Sequence, residues 1–213
     1  MIDLNPRDSA LMALARSIIA DDSAGALHLL AASPGLARAC FEEGATRQTA
    51  QDYLDEIGRY VYAGDTALHV AAGAYRTDVV QKLMAMGADV RARNRRGAEP
   101  LHAAAVGMPG SQAWNPSAQA ATIAFLIRAG ADPNAADNSG VTALHRAVRT
   151  RCAAAVEALL AGGADARRKN KSGSTPMRLA TANTGRGGSG SPEAKAQQQE
   201  IQRLLKQHGS TGQ

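Results

Sequence analysis

Large aromatic side chains are nearly missing from this sequence: Phe, Trp and Tyr make up 3% of 213 residues, and there is one Trp. A core must therefore be assembled from Ala, Leu, Val, Ile and Met. A chain that is 45% hydrophobic and 20% charged has the composition of a globular protein and not of a disordered one. Cysteine is equally sparse. Cys40 and Cys152 stand 112 residues apart and fit no Cys-x-x-Cys spacing, which argues against a disulfide framework or a structural zinc site. No apolar run reaches the roughly 18 residues of a membrane-spanning helix. The first residues, Met1 to Ser17, lack a basic stretch followed by an uninterrupted apolar one, so no secretory signal is expected and the expected location is the cytoplasm. Catalytic signatures are lacking as well. There is no Gly-x-Ser-x-Gly, His-Glu-x-x-His or kinase motif. The glycine-rich stretch from Gly185 lacks the Gly-Lys-Ser/Thr ending of a phosphate loop. Asp21/Asp22 and Glu42/Glu43 fall in turns with nothing to raise a carboxyl pKa. The expectation is a protein without a catalytic site, cofactor or metal.

Charge is unevenly spread. Residues 1–90 hold 7 Lys/Arg against 12 Asp/Glu, a net −5, whereas residues 91–213 hold 17 against 7, a net +10. A basic half can attract an acidic protein or a phosphate backbone, or it can simply be a solvated face.

An internal repeat organises the rest. Gly64-Asp-Thr-Ala-Leu-His69, Gly97-Ala-Glu-Pro-Leu-His102, Gly140-Val-Thr-Ala-Leu-His145 and Gly173-Ser-Thr-Pro-Met-Arg178 follow one another at spacings of 33, 43 and 33. A second series, Gly87-Ala-Asp89, Gly130-Ala-Asp132 and Gly163-Ala-Asp165, keeps the same register. The period is thus 33 with ten residues inserted once. Thr66, Thr142 and Thr175 stand where an N-cap belongs, and Pro100 and Pro176 at a first helical position. Val80/Leu83/Met84, Ile123/Leu126/Ile127 and Val156/Leu159/Leu160 form stripes at i, i+3 and i+4 that predict a second helix in each unit. Gly87, Gly130 and Gly163 suit the left-handed position that ends it. Such a helix pair cannot bury its apolar face alone, so neighbours must stack.

These segments resemble ankyrin repeats over residues 62–209. The resemblance implies an all-α ankyrin-repeat solenoid of stacked helix–turn–helix units with projecting β-turn fingers, binding other proteins through the fingers and the concave helices. The histidines His69, His102 and His145 then read as hydrogen-bonding elements at helix starts, not as metal ligands. Departures occur: Glu99 replaces the capping Thr, and Arg178 replaces the His of the fourth repeat. Residues 193–207, with Gln197, Gln198, Gln199 and Gln202, read as the polar second helix of a C-terminal cap. In domain terms, residues 1–62 are expected to be an N-terminal helical cap with a degenerate first repeat, and 63–213 to hold four repeats.

Within the cap, helices are expected over 8–20, with Asp8 or Ser9 as its cap, and over 24–32, stopped before Ser33-Pro34-Gly35. A further helix is expected over 45–59, packed by a cluster of Phe41, Tyr53, Tyr60, Tyr62 and Tyr75. Two insertions, 107–117 and 183–192, fall in helix-to-helix turns and are expected at one edge of the stack. Trp114 in the first either anchors a partner or pins its own loop.

Two fingers are cationic: Arg91, Arg93, Arg95 and Arg96 in one, and Arg167, Arg168, Lys169 and Lys171 in the other. Arg146 and Arg149 add charge on the first helix of the third repeat. Together with Trp114 these are the candidate partner-binding residues. Their charge suits an acidic protein surface. Nucleic acid is the competing partner, but the middle finger, Asp132 to Asp137, carries no Lys or Arg and interrupts any continuous stripe. A monomer is expected.

Overall fold

A computed structural model describes residues 6–44, 53–54, 59–109, 111, 114–182 and 192–210. Chain contacts group it into two compact units, Met1–Pro100 and Leu101–Gln213. Both are built from short helix pairs, as the 33-residue pattern predicts.

In the first unit, α1 (Pro6–Ile19) packs against α2 (Ser23–Ala32) and α3 (Ala67–Gly73), and α3 against α4 (Thr77–Ala85). Asp22 caps α2 by accepting from the Gly25 N–H at 2.8 Å. After Ser33 a short 3-10 turn, Pro34–Ala37, follows. Leu11, Leu14, Ile18, Leu30, Leu68 and Leu83 are fully buried and form this unit's core. Asp8 does not cap α1. It lies in the first turn, 1% exposed, and its carboxylate accepts from the Glu42 and Glu43 N–H groups at 3.1 and 3.3 Å. A buried carboxylate needs such donors, and the turn at Glu42 supplies them from 34 residues away.

The expected helix over 45–59 is overturned where the chain is described. Tyr53–Leu54 (β1) and Arg59–Tyr60 (β2) form a two-stranded antiparallel hairpin, with Tyr53 opposite Tyr60; residues 45–52 and 55–58 lie outside the described residues. The hairpin interrupts a finger without replacing it. Its neck is closed by Phe41 N–H to the Asp65 carbonyl at 2.9 Å and Gly64 N–H to the Phe41 carbonyl at 2.8 Å. Polar residues at helical spacing mask the β preference of its tyrosines.

The second unit holds α5 (Pro100–Ala104, begun at the last residue of the first unit), α6 (Pro116–Arg128), α7 (Ala143–Arg149), α8 (Ala153–Ala161), α9 (Pro176–Thr181) and α10 (Pro192–Ser210). The second helices of successive repeats stack as α6 on α8 on α10, while α7 packs on α9. Ile123, Leu126, Leu144, Leu159 and Ile201 are among the large side chains fully buried in this unit. The glutamines of α10 are not a solvated end face. Gln197 Oε1 accepts from the Ala153 N–H at 2.9 Å, and Gln198 and Gln202 donate to the Ala180 carbonyl at 2.7 and 3.1 Å. Free backbone groups at the start of α8 and near the end of α9 are thereby satisfied; Gln199 alone of the four is exposed. Residues 183–191 lie outside the described residues.

Each repeat is tied to the next by one histidine. The Thr66 N–H donates to His69 Nδ1 at 3.1 Å while the Thr66 side chain accepts from the His69 N–H, a reciprocal capping box. Because Nδ1 accepts, the ring proton sits on Nε2, which donates to the Ala98 carbonyl at 3.1 Å. Thr142 and His145 repeat the box, with Nε2 on the Ser174 carbonyl at 3.0 Å. His102 Nε2 reaches the Val141 carbonyl at 3.1 Å. Ala98, Val141 and Ser174 each follow a finger glycine, Gly97, Gly140 or Gly173, whose φ is positive (71, 74 and 73°).

Removing the cap by Thr142→Ala should cost about 1 kcal/mol of stability, read as a lower midpoint in urea at unchanged slope. Burial pushes the His145 imidazole below its ordinary value of 6.5, against the carbonyls of Ser174 and Arg168, which pull upward. The unfolded chain therefore takes up this proton first, and the stability held by neutral His145 is lost as pH falls through about 6.5. An NMR titration of the His145 ring should give a midpoint below 6.5, and the melting temperature should fall between pH 7.5 and 5.

Candidate protein-binding surface

The finger turns position the predicted cationic residues, and their shape follows from three Asx residues. Asn94, Asp137 and Asn170 each stand three residues before a finger glycine. The Asn94 side-chain oxygen accepts from the Arg96 and Ala98 N–H groups (2.9 and 3.1 Å). Asp137 accepts from Ser139 and Val141 (2.8 and 3.1 Å), and Asn170 from Ser172 and Ser174 (3.0 Å each). One side chain thus folds a whole tip, and the residues immediately after it are held outward.

In the first unit those residues are Arg95 and Arg96, both exposed. Their guanidinium carbons lie 5.5 and 5.2 Å from the centroid of the Tyr62 ring, and Arg96 Nη1 donates to the Tyr62 hydroxyl at 3.0 Å. Tyr60, also exposed, has its ring centroid 6.4 Å from that of Tyr62. Two like charges are thereby held side by side over one electron-rich ring. Arg93 bends back, its Nε on the Gly97 carbonyl at 3.1 Å. Arg91 is exposed, with its backbone N–H on the Asp89 carboxylate at 2.9 Å.

In the second unit, Arg168, Lys169 and Lys171 are exposed on the finger before Gly173. Arg167, exposed too, donates through Nη2 to the Gly209 carbonyl at the end of α10. Arg149 is exposed on α7. Arg146 is turned inward: its Nη2 meets Asp137 Oδ2 at 2.9 Å, with both side chains largely buried. Burial would raise the Asp137 carboxyl, but the Arg146 bond, the Ser139 and Val141 N–H groups and the Arg146 charge outweigh it and hold the pKa below its ordinary value. This pair braces the middle finger, which has no Lys or Arg of its own, from within. Trp114 is half-buried and donates from Nε1 to Gln119 Oε1 at 2.9 Å, while Gln119 Nε2 donates to the Ala104 carbonyl at 2.9 Å. The indole pins its own loop to α6.

The arrangement therefore brings Arg95 and Arg96 together with Tyr60 and Tyr62, and groups Arg168, Lys169 and Lys171 on a second turn. Tyr60 and Tyr62, expected in a packing cluster around a helix, instead stand beside the arginines of the finger. A signal for this exists in the chain: Tyr62 precedes Arg95, and Tyr60 precedes Arg93, by the 33-residue period itself. Both tyrosines thus occupy finger positions of the preceding repeat.

Among possible nucleophiles, Cys152 is fully buried beside Thr150, and burial pushes its thiol up to about 11. Such a thiol is a packing group. Cys40 is exposed. Iodoacetamide at pH 8 should label Cys40 in the folded protein and Cys152 only after denaturant is added, as read by peptide mass mapping.

Two family profiles match the chain, one described as "Ankyrin repeat" over residues 63–95 and one as "Ankyrin repeats (many copies)" over residues 126–180. No curated protein matches it. Ankyrin repeats are generally protein–protein interaction modules. With the period, the capped helix pairs and both profile matches in agreement, this chain belongs to the ankyrin-repeat family, of the all-α class.

Proposed function

We propose that this chain is a non-catalytic adaptor, scaffold or inhibitor that binds an acidic protein surface through its basic fingers, acting as a cytoplasmic monomer. The observation that carries the reading is the Asx-clamped turn that projects Arg95 and Arg96 beside Tyr62 and Tyr60. Arginine and tyrosine are the side chains that most often dominate binding energy at protein interfaces. Held by a preformed turn, they lose little conformational freedom on docking. Exposed Arg168, Lys169 and Lys171 supply a second cationic tip of the same construction. Arg146 and Trp114, both engaged internally, are left out of the contact set. No described helix is long and apolar enough to cross a membrane.

A nucleic-acid partner is the second reading, favoured by the +10 of residues 91–213. The finger between the two basic ones counts against it. It holds Asp132 and Asp137 and no cation, so the charge does not run on as a phosphate backbone would require.

The test is capture from native lysate with and without nuclease, using the wild type and Arg95→Glu/Lys171→Glu. A protein partner should survive nuclease and bind the double variant at least tenfold more weakly, a loss of about 1.4 kcal/mol, at an unchanged melting temperature. Bound material that vanishes with nuclease, or equal loss of binding and stability, would replace this reading.

A further inference from the structure

Ser172 stands at the tip of the second cationic finger, two residues after Asn170. It is exposed, and its hydroxyl is engaged by none of the described residues. Its backbone N–H is held by the Asn170 side-chain oxygen at 3.0 Å. Arg167, Arg168, Lys169 and Lys171 precede it, so cations occupy the first, third, fourth and fifth positions upstream. Arg168, Lys169 and Lys171 are exposed as well. The sequence has no Asp or Glu between Asp165 and Glu193.

Ser139 gives a comparison within the same unit. It is exposed, stands two residues after Asp137 in the same kind of turn, and has its N–H on that carboxylate at 2.8 Å. The residues before it, Asn134 to Asn138, include no Lys or Arg, and Asp137 is their only charge. Ser174, two residues beyond Ser172, is half-buried. Its N–H is spent on Asn170 and its carbonyl on His145 Nε2, each at 3.0 Å. Of these three finger serines, Ser172 alone combines an exposed side chain with a basic approach. The bonds that shape its tip run from Asn170 to Ser172, Gly173 and Ser174, and from the Lys171 N–H to the Ser139 carbonyl. No helix has to open for residues 167–172 to enter an enzyme cleft, and exposed loop tips are where enzymes gain access to a folded chain.

We infer that Ser172 is a phosphorylation site for a serine kinase that selects basic segments, and that the phosphate turns off the contact of this finger with an acidic partner. Such a kinase has an acidic substrate groove that pairs with the upstream cations, the charge patterning by which kinases choose substrates. Transfer forms a bond from the Ser172 hydroxyl oxygen to the γ-phosphorus of a magnesium-bound nucleoside triphosphate. The bond from that phosphorus to its bridging oxygen breaks, the hydroxyl proton passes to the kinase's base, and the nucleoside diphosphate leaves. The phosphoserine carries about −1.5 to −2 at neutral pH. Set among Arg168, Lys169 and Lys171, it removes at least half of the positive charge of the tip and offers the lysines its own oxygens in place of a partner's carboxylates. The switch rests on the protein-binding reading of the fingers; the modification itself does not.

The experiment treats the full chain with magnesium ATP and either a serine kinase that prefers upstream basic residues or one that prefers acidic residues. Modified positions are mapped by mass spectrometry on the wild type, Ser172→Ala and Lys169→Ala/Lys171→Ala. The basic-directed enzyme should modify Ser172 and leave Ser139 and Ser174 bare, and it should act on Ser172 about tenfold more slowly in the lysine variant. Ser172→Ala keeps the N–H that closes the turn, so it should lose that phosphate at an unchanged melting temperature. Ser172 left bare by this enzyme, or modified equally fast by both, overturns the site. The switch is read by titrating an N-acetylated, C-amidated glutamate peptide at fixed ionic strength and following the Lys171 amide by NMR. Binding should weaken about tenfold after phosphorylation, while Ser172→Ala taken through the same treatment keeps the wild-type affinity. Equal affinity before and after overturns the switch and leaves the finger reading intact. No binding by the unmodified chain overturns the finger reading and the switch together, and phosphate mapped to Ser172 then supports the site alone.

Discussion

The bond from a histidine Nε2 to the carbonyl just past the next finger glycine is the interaction on which this architecture turns. It joins two requirements in one ring. Nδ1 closes the start of a helix by accepting from the capping threonine's own N–H, which fixes the tautomer and leaves Nε2 as a donor. That donor can be satisfied only if the neighbouring finger presents a carbonyl at the right height. Helix starts and finger turns therefore cannot be placed independently. His69 with Ala98, and His145 with Ser174, show the same geometry although the two pairs lie in different units. An Asx residue completes each joint by folding the finger so that this carbonyl points back.

Such a scaffold leaves the side chains at the finger tips out of the hydrogen bonds that shape the turn. The turn is shaped by Asn94, Asp137 or Asn170, so the next two residues can be of any type. In this chain they are Arg95 and Arg96 in one finger, Asn138 and Ser139 in the next, and Lys171 and Ser172 in the last. Charge is written onto a constant frame. Arg146 shows the reverse case, in which a cation is consumed by the frame itself. Its partner Asp137 stands where the other two fingers have a neutral Asn.

Much of this is legible in the order of residues alone. The period of 33, the capping threonines, the terminating glycines and the apolar stripes are all local: Val80, Leu83, Ile123, Leu126, Val156, Leu159 and Leu160 are buried, while Met84 and Ile127, expected in the same stripes, are half-buried. What stays hidden in the sequence depends on contacts between distant residues. Asp8 resembles a helix cap because it precedes an apolar helical run, yet its donors lie 34 residues away. The α10 glutamines resemble a solvated face because they are polar, yet three of them meet backbone groups of α8 and α9. Tyr53 sits in a stretch with helical spacing, although aromatic residues favour strands, and it pairs with Tyr60 in a hairpin. Arg146 and Arg149 share one helix and one charge, and only the position of Asp137 separates the braced arginine from the exposed one. Neither Tyr62 nor Arg95 announces the other locally; the link is visible only if the repeat is extended one unit towards the N-terminus.

The distribution of the chromophores has a practical side. All four tyrosines, Tyr53, Tyr60, Tyr62 and Tyr75, belong to the first unit, and the single tryptophan belongs to the second. Trp114 is held by Gln119, so its emission reports on packing around α6 in the second unit. Tyrosine absorbance reports on the other unit, through rings such as Tyr62 that sit against arginines and a second tyrosine. The two halves of the molecule thus carry separate native optical labels, and loss of one can be followed without the other and without introducing a dye.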